Sequence, residues 1–189
     1  LGKPLQEIEI CELNINTAAS ELPSLLAPLL AGRNAGLVSE AGVPAVADPG
    51  ADLVRLAHQK NIPVKPLVGP SSILLALMAS GLNGQSFAFQ GYLPTDSGQR
   101  ANRLRQLEQR SRQEKQTQIF IETPYRNEVM LEAIANHCTS STLVTVATDL
   151  TLATETVRTQ SVQVWKNEIT AGRFPDFKKK PTVFLLLAI

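Results

Sequence analysis

The chain has 189 residues, of which 43% are hydrophobic, and its 18 basic side chains nearly balance its 17 acidic ones. This length can bury the core of one large or two small domains, and a net charge near +1 gives no overall reason to expect a nucleic-acid or membrane partner. The two cysteines are too few for a disulfide framework or a metal site. No apolar run approaches the ~18 residues of a membrane span, and the first residues do not show the basic-then-apolar pattern of a signal peptide. We therefore expect a soluble protein of the cytoplasm.

The amino-terminal part of the sequence predicts strands that alternate with helices. Short apolar runs predict strands at residues 8–13, 35–38 and 62–68. Apolar residues at helical spacing predict helices at residues 20–30, 51–60 and 73–80, the first with Ser20 as its cap. This alternation is typical of a largely parallel sheet. Nothing like a complete first strand–helix unit precedes residue 8, so we expect the amino-terminal domain to be incomplete.

The most informative stretch lies at residues 39–50, between a predicted strand and a predicted helix. Gly42 and Gly50 let a ligand approach the backbone, while Pro44 and Pro49 stiffen the chain between them. Free amides at the start of the helix are available to the same ligand. An ordinary turn of an α/β sheet would also explain this stretch.

A second turn of the same kind occurs at residues 69–72, after the next predicted strand. Ser71 or Ser72 is suited to cap the following helix, and its hydroxyl can bond either the backbone or a ligand. Two such turns after neighbouring strands favour a ligand cleft at the carboxyl edge of the sheet.

The carboxyl-terminal part predicts a second α/β domain. Two glycines and an asparagine at residues 81–85 mark the boundary, which gives an amino-terminal domain at 1–82 and a carboxyl-terminal domain at 83–189. Strands are predicted at residues 87–94, 119–121, 143–147, 154–157 and 182–188, and helices at residues 100–115, 128–136 and 162–169.

Five motifs, in this order and spacing, resemble the tetrapyrrole methylase superfamily. They are Ser-Glu-Ala-Gly-Val-Pro through Asp-Pro-Gly at 39–50, Val-Gly-Pro-Ser-Ser at 68–72, Ala-Ser-Gly-Leu at 79–82, Phe-Gln-Gly-Tyr-Leu-Pro at 89–94 and Ile-Glu-Thr-Pro-Tyr-Arg at 121–126. Within the superfamily the sequence is most similar to a branch that methylates a cytidine ribose 2′-hydroxyl of small-subunit ribosomal RNA. Glu40 stands where that branch usually has aspartate, and Val43 stands where it often has threonine. These two differences favour a sister branch.

The resemblance implies that S-adenosylmethionine is the methyl donor, bound in a cleft between the two α/β domains, usually in a homodimer. It assigns the cofactor's amino acid and ribose to a first loop and its adenine to the start of the last strand. By position the implied cofactor contacts are Gly42, Val43, Pro44 and Val46, then Ser71 and Ser72, then Glu122, and finally Pro181 with Thr182.

A ribose hydroxyl must lose its proton on methylation, which requires a positioned base. Glu40 and Glu122 are the candidates, although Glu40 could instead bond loop amides and Glu122 could instead hold the turn that follows it. Asp48 is the better cap for the next helix. Tyr125 and Arg126 could orient a substrate, or Arg126 could be an ordinary surface residue at a helix start.

The acceptor is open at this point. RNA is the first candidate, a tetrapyrrole or another small molecule is the second, and a module that binds S-adenosylmethionine without turnover is the third. Two basic patches could contact RNA phosphates, although a solvated helix face also explains the first. The patches comprise Arg100, Arg103, Arg105, Arg110, Arg112 and Lys115 in one helix, and Lys178, Lys179 and Lys180 before the last strand.

Three further residues are assigned no chemistry. His58 and His137 are isolated in the sequence, without a third ligand at metal spacing, so no metal is expected. Trp165 lies in an apolar helix and is expected in the core.

Overall fold

The computed structural model describes residues 7–189, and the chain divides into two compact units, Leu1–Pro70 and Ser71–Ile189. The first residues of the domain predicted at 1–82, from Leu1 onward, lie outside the described residues. The division falls before the helix predicted at 73–80, whereas the sequence favoured residues 81–85. The boundary between 82 and 83 stays a prediction.

The first unit contains two helices, α1 (Leu22–Leu30) and α2 (Ala51–Gln59), which pack against each other. Both overlap the predicted helices. The cap position of α1 is Glu21 rather than Ser20, and a proline lies in the first turn of the helix, where its missing N–H would have no helical partner.

The strands predicted at residues 8–13, 35–38 and 62–68 are wrong, since none of these segments forms a strand in the described chain. A strand needs a neighbour that satisfies its backbone N–H and C=O groups, and none pairs with them among residues 7–189. Their apolar side chains are also open to solvent: Val38 is 86% exposed and Leu67 is 81% exposed.

The second unit forms an α/β layer structure, as predicted. Its helices are α3 (Ser72–Ser80), α4 (Ser97–Glu114), α5 (Asn127–His137) and α6 (Val162–Thr170), and its strands are β1 (Phe87–Tyr92), β2 (Thr117–Glu122), β3 (Leu143–Thr148), β4 (Thr156–Ser161) and β5 (Thr182–Leu187). Every predicted element of this unit overlaps an observed one. The largest shift is at β4, which begins later and ends later than residues 154–157.

The strands form one mixed sheet in the order β1-β2-β5-β3-β4. Only β1 and β2 are parallel, and the pairs β2–β5, β5–β3 and β3–β4 are antiparallel. The largely parallel sheet expected from the alternation is therefore not observed. Strands β1, β2 and β3 therefore run in one direction and β4 and β5 in the other, so the first three end at the same side of the sheet at which β4 and β5 begin. We call this end of the sheet the carboxyl edge.

The two faces of the sheet are covered by different helices. One face packs against α4, α5 and α6 around Phe120, Phe184 and Trp165, all of which are fully buried. The opposite face packs against α3 through Ile73, Ala76 and Leu77. Trp165 is a core residue as predicted, and its Nε1 donates to the Val144 carbonyl at 3.0 Å. Among residues 7–189 no helix is both long enough and apolar enough to cross a membrane.

Candidate functional site

Residues 39–50 form an irregular loop in the first unit, with a backbone that turns repeatedly through the left-handed region. Gly42, Ala45, Ala47 and Gly50 have φ values of 76°, 64°, 57° and 135°. Positive φ is uncommon for alanine and normal for glycine. A weak internal bond, Ala45 N–H to the Pro49 carbonyl at 3.3 Å, closes the loop. The loop therefore has a specific irregular backbone conformation, with four residues at positive φ, and is not a simple strand-to-helix turn.

Gly50 is required where the loop joins α2. An added Cβ would lie 2.7 Å from Leu37 Cδ2 and 3.4 Å from the Ala45 Cβ. Its φ of 135° is also unfavourable for any residue with a side chain. The backbone conformation therefore demands glycine, while the contact with the end of the Leu37 side chain could be relieved by a shift of that side chain.

The loop offers main-chain donors to a ligand. The N–H groups of Gly42 and Val43 make no hydrogen bond to another residue of the described chain. Gly42 and Val46 are exposed, whereas Val43 and Pro44 are half-buried. A carboxylate or a hydroxyl could accept hydrogen bonds from these amides.

The two loop carboxylates differ from their predicted surroundings. Glu40 is exposed, and within residues 7–189 its carboxylate makes neither an ion pair nor a hydrogen bond to a loop amide. The interpretation of Asp48 as the cap of α2 is wrong, because the cap position is Gly50 and no side chain bonds the helix start there.

Ser71 occupies the cap position of α3, as predicted, with an extended backbone. Its hydroxyl makes no capping bond, and its carbonyl accepts from Leu75 N–H at 2.9 Å. Ser72 is the first helical residue and is exposed. Both side chains are thus free of the helix.

Glu122 ends β2 at the carboxyl edge, where its side chain is 1% exposed. Oε1 accepts from the Thr123 N–H at 2.7 Å, and Oε2 lies 2.8 Å from Nη2 of Arg126. The second contact is an ion pair without hydrogen-bond alignment. The carboxylate therefore holds its own turn, which was one of the two alternatives for Glu122. Arg126 is occupied by this pair, whereas Tyr125 is 80% exposed.

Thr182 begins β5 beside Glu122, and the two residues are register partners. Its buried hydroxyl lies 3.1 Å from that of Thr148 at the end of β3. The carbonyl of Pro181 accepts from Asp149 N–H at 3.0 Å, and the proline itself is exposed. The structure thus brings Glu122, Pro181 and Thr182 together, while the other predicted cofactor contacts lie in the first unit and at the start of α3.

Two polar residues of this edge were missed in the sequence. Asn127, the first residue of α5, is 1% exposed and bonds three groups of segment 177–182. Asp149 follows β3 and is 5% exposed, with Thr154 Oγ1 donating to its Oδ2 at 2.7 Å. Its position directly after an apolar strand was a usable signal, the same one that identified Glu122. Asn127 has only a weak signal, a polar residue at the start of an amphipathic helix.

Lys180 links two carboxylates across this edge. Its Nζ lies 2.8 Å from Asp176 Oδ2 and 3.5 Å from Asp149 Oδ2. The hydrogen bond that Lys180 donates to Asp176 is the main cause of the raised pKa of Lys180, desolvation lowers that pKa, and the charges of both aspartates raise it further. Lys180 therefore contributes to the fold, and only Lys178 and Lys179 of this patch are exposed.

A recess of about 80 Å³ lies beside the turn after β2. Its lining comprises Pro124, Tyr125, Asn127, Glu128, Lys178 and Lys179. Ligand pockets for drug-sized molecules usually measure about 300–1,000 Å³. The recess is too small to enclose a cofactor, although it brings an exposed aromatic ring close to two lysines.

The basic residues of α4 mostly bond the protein itself. Arg100 is 6% exposed and donates to the Thr95 carbonyl at 2.9 Å, and Arg103 donates to Gln90 Oε1 at 2.8 Å. Arg110 pairs with Glu114 at 3.1 Å. Arg105 and Arg112 lie near His137 and Thr139 at 3.3 and 3.5 Å. These contacts favour the structural interpretation of α4 over a continuous phosphate-binding face.

Within residues 7–189 no three or more of His, Cys, Asp and Glu lie together in a way that could hold a metal ion. His58 and His137 lie on different helices, α2 and α5.

The residues implied for S-adenosylmethionine fit the chemistry of that molecule. Its carboxylate and ribose hydroxyls can accept hydrogen bonds, and the free amides of Gly42 and Val43 are donors of that kind. The exposed ring of Pro181 offers an apolar surface for adenine.

Comparison with known families gives one match over most of the chain. Residues 8–164 match the family described as Tetrapyrrole (Corrin/Porphyrin) Methylases. Several curated relatives carry the name Ribosomal RNA small subunit methyltransferase I. The protein of Mesorhizobium japonicum is 37% identical over 81% of this chain and 51% of its own length, and that of Escherichia coli O157:H7 is 40% identical over 71% and 46%. The chain thus spans about half the length of these relatives.

Solved structures show the same fold at low sequence identity. The methyltransferase CobJ superposes with a TM-score of 0.60 at 17% identity, over 92% of this chain and 72% of its own. A cobalt precorrin-4 methyltransferase gives a TM-score of 0.55 at 16% identity over the same shares.

Proposed function

The chain belongs to the tetrapyrrole methylase family, and from this premise we propose that it is an S-adenosylmethionine-dependent methyltransferase acting on RNA. The observation that carries the proposal is the loop 39–50, which combines a shaped backbone, required glycine at Gly50 and free amides at Gly42 and Val43. A loop of this kind can bind a small polar ligand through the main chain.

The proposed cofactor contacts fall into two classes. Gly42, Val43, Pro44 and Val46 would bind through backbone groups, as would the turn at Ser71 and Ser72. At the carboxyl edge Pro181 and Thr182 would hold the adenine. Glu122 would contribute only indirectly, since its carboxylate already bonds Thr123 and Arg126.

The cofactor, when bound, supplies the methyl group of a sulfonium. The protein's task is then to hold an acceptor oxygen in line with that methyl carbon and to exclude water. A ribose hydroxyl also needs a base within hydrogen-bond reach. We propose Glu40 for this role, because its carboxylate is exposed and unengaged by the described residues, whereas Glu122 is engaged.

The relatives that share 37% and 40% identity carry a ribosomal RNA name, and we propose a ribose 2′-hydroxyl of small-subunit ribosomal RNA as the acceptor. The recess at the turn after β2 supports RNA contact. There Tyr125 could stack on a base, and Lys178 and Lys179 could contact phosphates. Arg126 would orient this turn from behind through Glu122.

The test has two stages. Isothermal titration of S-adenosylmethionine into the chain should give saturable binding, and failure to bind at millimolar ligand would reject the methyltransferase proposal. Radiolabelled methyl transfer should then go to small ribosomal subunits that lack ribose methylation. Transfer to a tetrapyrrole instead would support a small-molecule enzyme, and binding without any transfer would support a non-catalytic module.

We also propose, from the family resemblance, a homodimer located in the cytoplasm. Light scattering coupled to size-exclusion chromatography measures the mass in solution and therefore tests the homodimer directly. A mass equal to one chain would contradict it.

A further inference from the structure

Segment 177–182 comprises the end of the irregular connection from α6 to β5 and the first residue of β5, and it carries Pro181 and Thr182. Lys179 within it has a positive φ of 59°, which is uncommon for a residue with a side chain. Such a segment needs bonds from outside to keep one conformation.

Asn127 supplies three contacts from a single atom. Its Nδ2 lies 2.8 Å from the Phe177 carbonyl, 2.9 Å from the Lys180 carbonyl and 3.1 Å from Thr182 Oγ1. These acceptors lie at the two ends and near the middle of the segment. An amide NH₂ has two hydrogens, so three acceptors share them.

The orientation of this amide follows from its surroundings. Rotating it by half a turn would place Oδ1 against the Phe177 and Lys180 carbonyl oxygens, which have no hydrogen to donate. Oδ1 itself is buried and has no hydrogen-bond partner in the described chain. An unpartnered buried acceptor is unfavourable, so an apolar side chain would serve the core better. The donor side of the amide therefore explains why a polar residue lies here.

The segment is also tied to both neighbouring strands. On the β2 side Lys179 N–H donates to the Pro124 carbonyl at 3.2 Å, and on the β3 side Asp149 N–H donates to the Pro181 carbonyl at 3.0 Å. These bonds fix single points. Within the segment, Lys180 N–H donates to the Phe177 carbonyl and Thr182 Oγ1 donates to the Lys180 carbonyl, both at 3.1 Å, whereas Asn127 contacts residues 177, 180 and 182 together. We infer that Asn127 is a positioning residue that holds segment 177–182 in the conformation that binds the adenine of the cofactor. This inference rests on the proposed function, since it needs Pro181 and Thr182 to contact the cofactor.

The test uses Asn127→Asp in the full chain, because aspartate keeps the shape and removes both N–H donors. Amide hydrogen exchange followed by mass spectrometry should show faster exchange in peptides that cover 177–182, with β4 and α6 unchanged. The dissociation constant for S-adenosylmethionine, measured by titration calorimetry, should rise about tenfold or more. The matched control is Asn136→Asp, an exposed position of the same helix, which should change neither quantity.

Each outcome has a defined meaning. Unchanged exchange in 177–182, or faster exchange with unchanged cofactor affinity, would overturn the inference. If Asn127→Asp does not fold, Asn127→Ala is measured in its place, and unfolding of both would also overturn it, because the bonds would then stabilise the whole unit. If the unaltered chain fails to bind the cofactor, the proposed function fails, while the exchange data still report whether Asn127 holds the segment.

Discussion

At the residue scale, the two candidate bases differ in what surrounds them. Glu122 is buried and contacts Thr123 N–H and Arg126, whereas Glu40 is exposed without an ion pair among the described residues. The carboxylate of Glu122 already has partners within the protein, so its first role is to stabilise the turn after β2. A carboxylate that faces solvent is free to take a proton from a bound hydroxyl.

This contrast predicts opposite effects of the same substitution. Glu122→Gln should lower the free energy of unfolding by about 2 kcal/mol. It removes the negative charge from an ion pair in which Glu122 is buried and Arg126 is partly exposed. Glu40→Gln should leave stability within about 0.5 kcal/mol and slow methyl transfer by about 100-fold or more. Urea denaturation and single-turnover methylation measure the two quantities. Lost transfer at unchanged stability in Glu122→Gln would instead make Glu122 the base.

The two cysteines provide a test of burial. Burial raises the pKa of Cys138 from 9.0 to about 12, and the nearby charge of Glu108 adds to the shift. The thiolate is the reactive form, so iodoacetamide at pH 8 should modify the exposed Cys11 and leave Cys138 intact. Peptide mass spectrometry reads out both sites, and denaturation in guanidinium should make both react.

The same shift has a pH consequence for stability. The unfolded thiol loses its proton near pH 9.0 and the folded one near 12, so the unfolded state is favoured progressively as pH rises through that window. The part of the folding free energy that depends on Cys138 should thus be complete below pH 9. Cys138→Ala should reduce the loss of stability between pH 9 and 12 in thermal melts. An identical alkaline profile in both proteins would contradict this.

At the element scale, the sequence predicted all the helices and every strand of the second unit, because apolar spacing reflects which side each segment buries. It did not predict the pairing. Strand β5 lies between β2 and β3, far from both in the chain, and its continuous apolar run, Val183 to Leu187, contains no signal for direction. The strands expected at 35–38 and 62–68 failed for the same reason. An apolar run becomes a strand only when another strand lies beside it.

The site was predictable only in part. Glu122 was singled out as a carboxylate after an apolar strand, whereas the cofactor roles of Glu122, Pro181 and Thr182 come from the family resemblance and stay predictions. The bonds of Asn127 to residues about 50 positions away depend on the tertiary fold, and no local pattern contains them. The cap role expected of Asp48 failed because Gly50, with φ of 135°, turns the chain before α2 begins.

The conformation of loop 39–50 depends on the positive φ of Gly50, which a substitution can test. Gly50→Ala should destabilise the loop by about 1–3 kcal/mol, since it forces a strained φ and places Cβ 2.7 Å from Leu37 Cδ2. Affinity for S-adenosylmethionine, measured by titration, should fall. Gly36→Ala is the matched control, since a Cβ there meets nothing within 4 Å and its φ is not positive. Equal affinities in the two variants would separate the loop from cofactor binding.

At the scale of the whole molecule, charge is balanced, and any RNA affinity must come from local groups. The arginines of α4 are largely occupied by Gln90, Glu114 and backbone carbonyls. Lys180 is paired with Asp176 and Asp149. Lys178 and Lys179 remain exposed and share a recess with Tyr125, so an RNA surface would be centred there.

A salt titration distinguishes this surface from α4. Each phosphate contact to single-stranded RNA adds about 0.7 to the slope of log affinity against log salt, so the double variant Lys178→Ala with Lys179→Ala should reduce the slope by about 1.4. Arg110→Ala with Arg112→Ala removes the same charge from α4 and should leave the slope nearly unchanged. Fluorescence anisotropy with labelled small-subunit RNA, at salt concentrations from 50 to 300 mM or so, gives both values. A larger loss from the α4 variant would move the RNA surface to that helix, because the charge removed is equal and only its position differs.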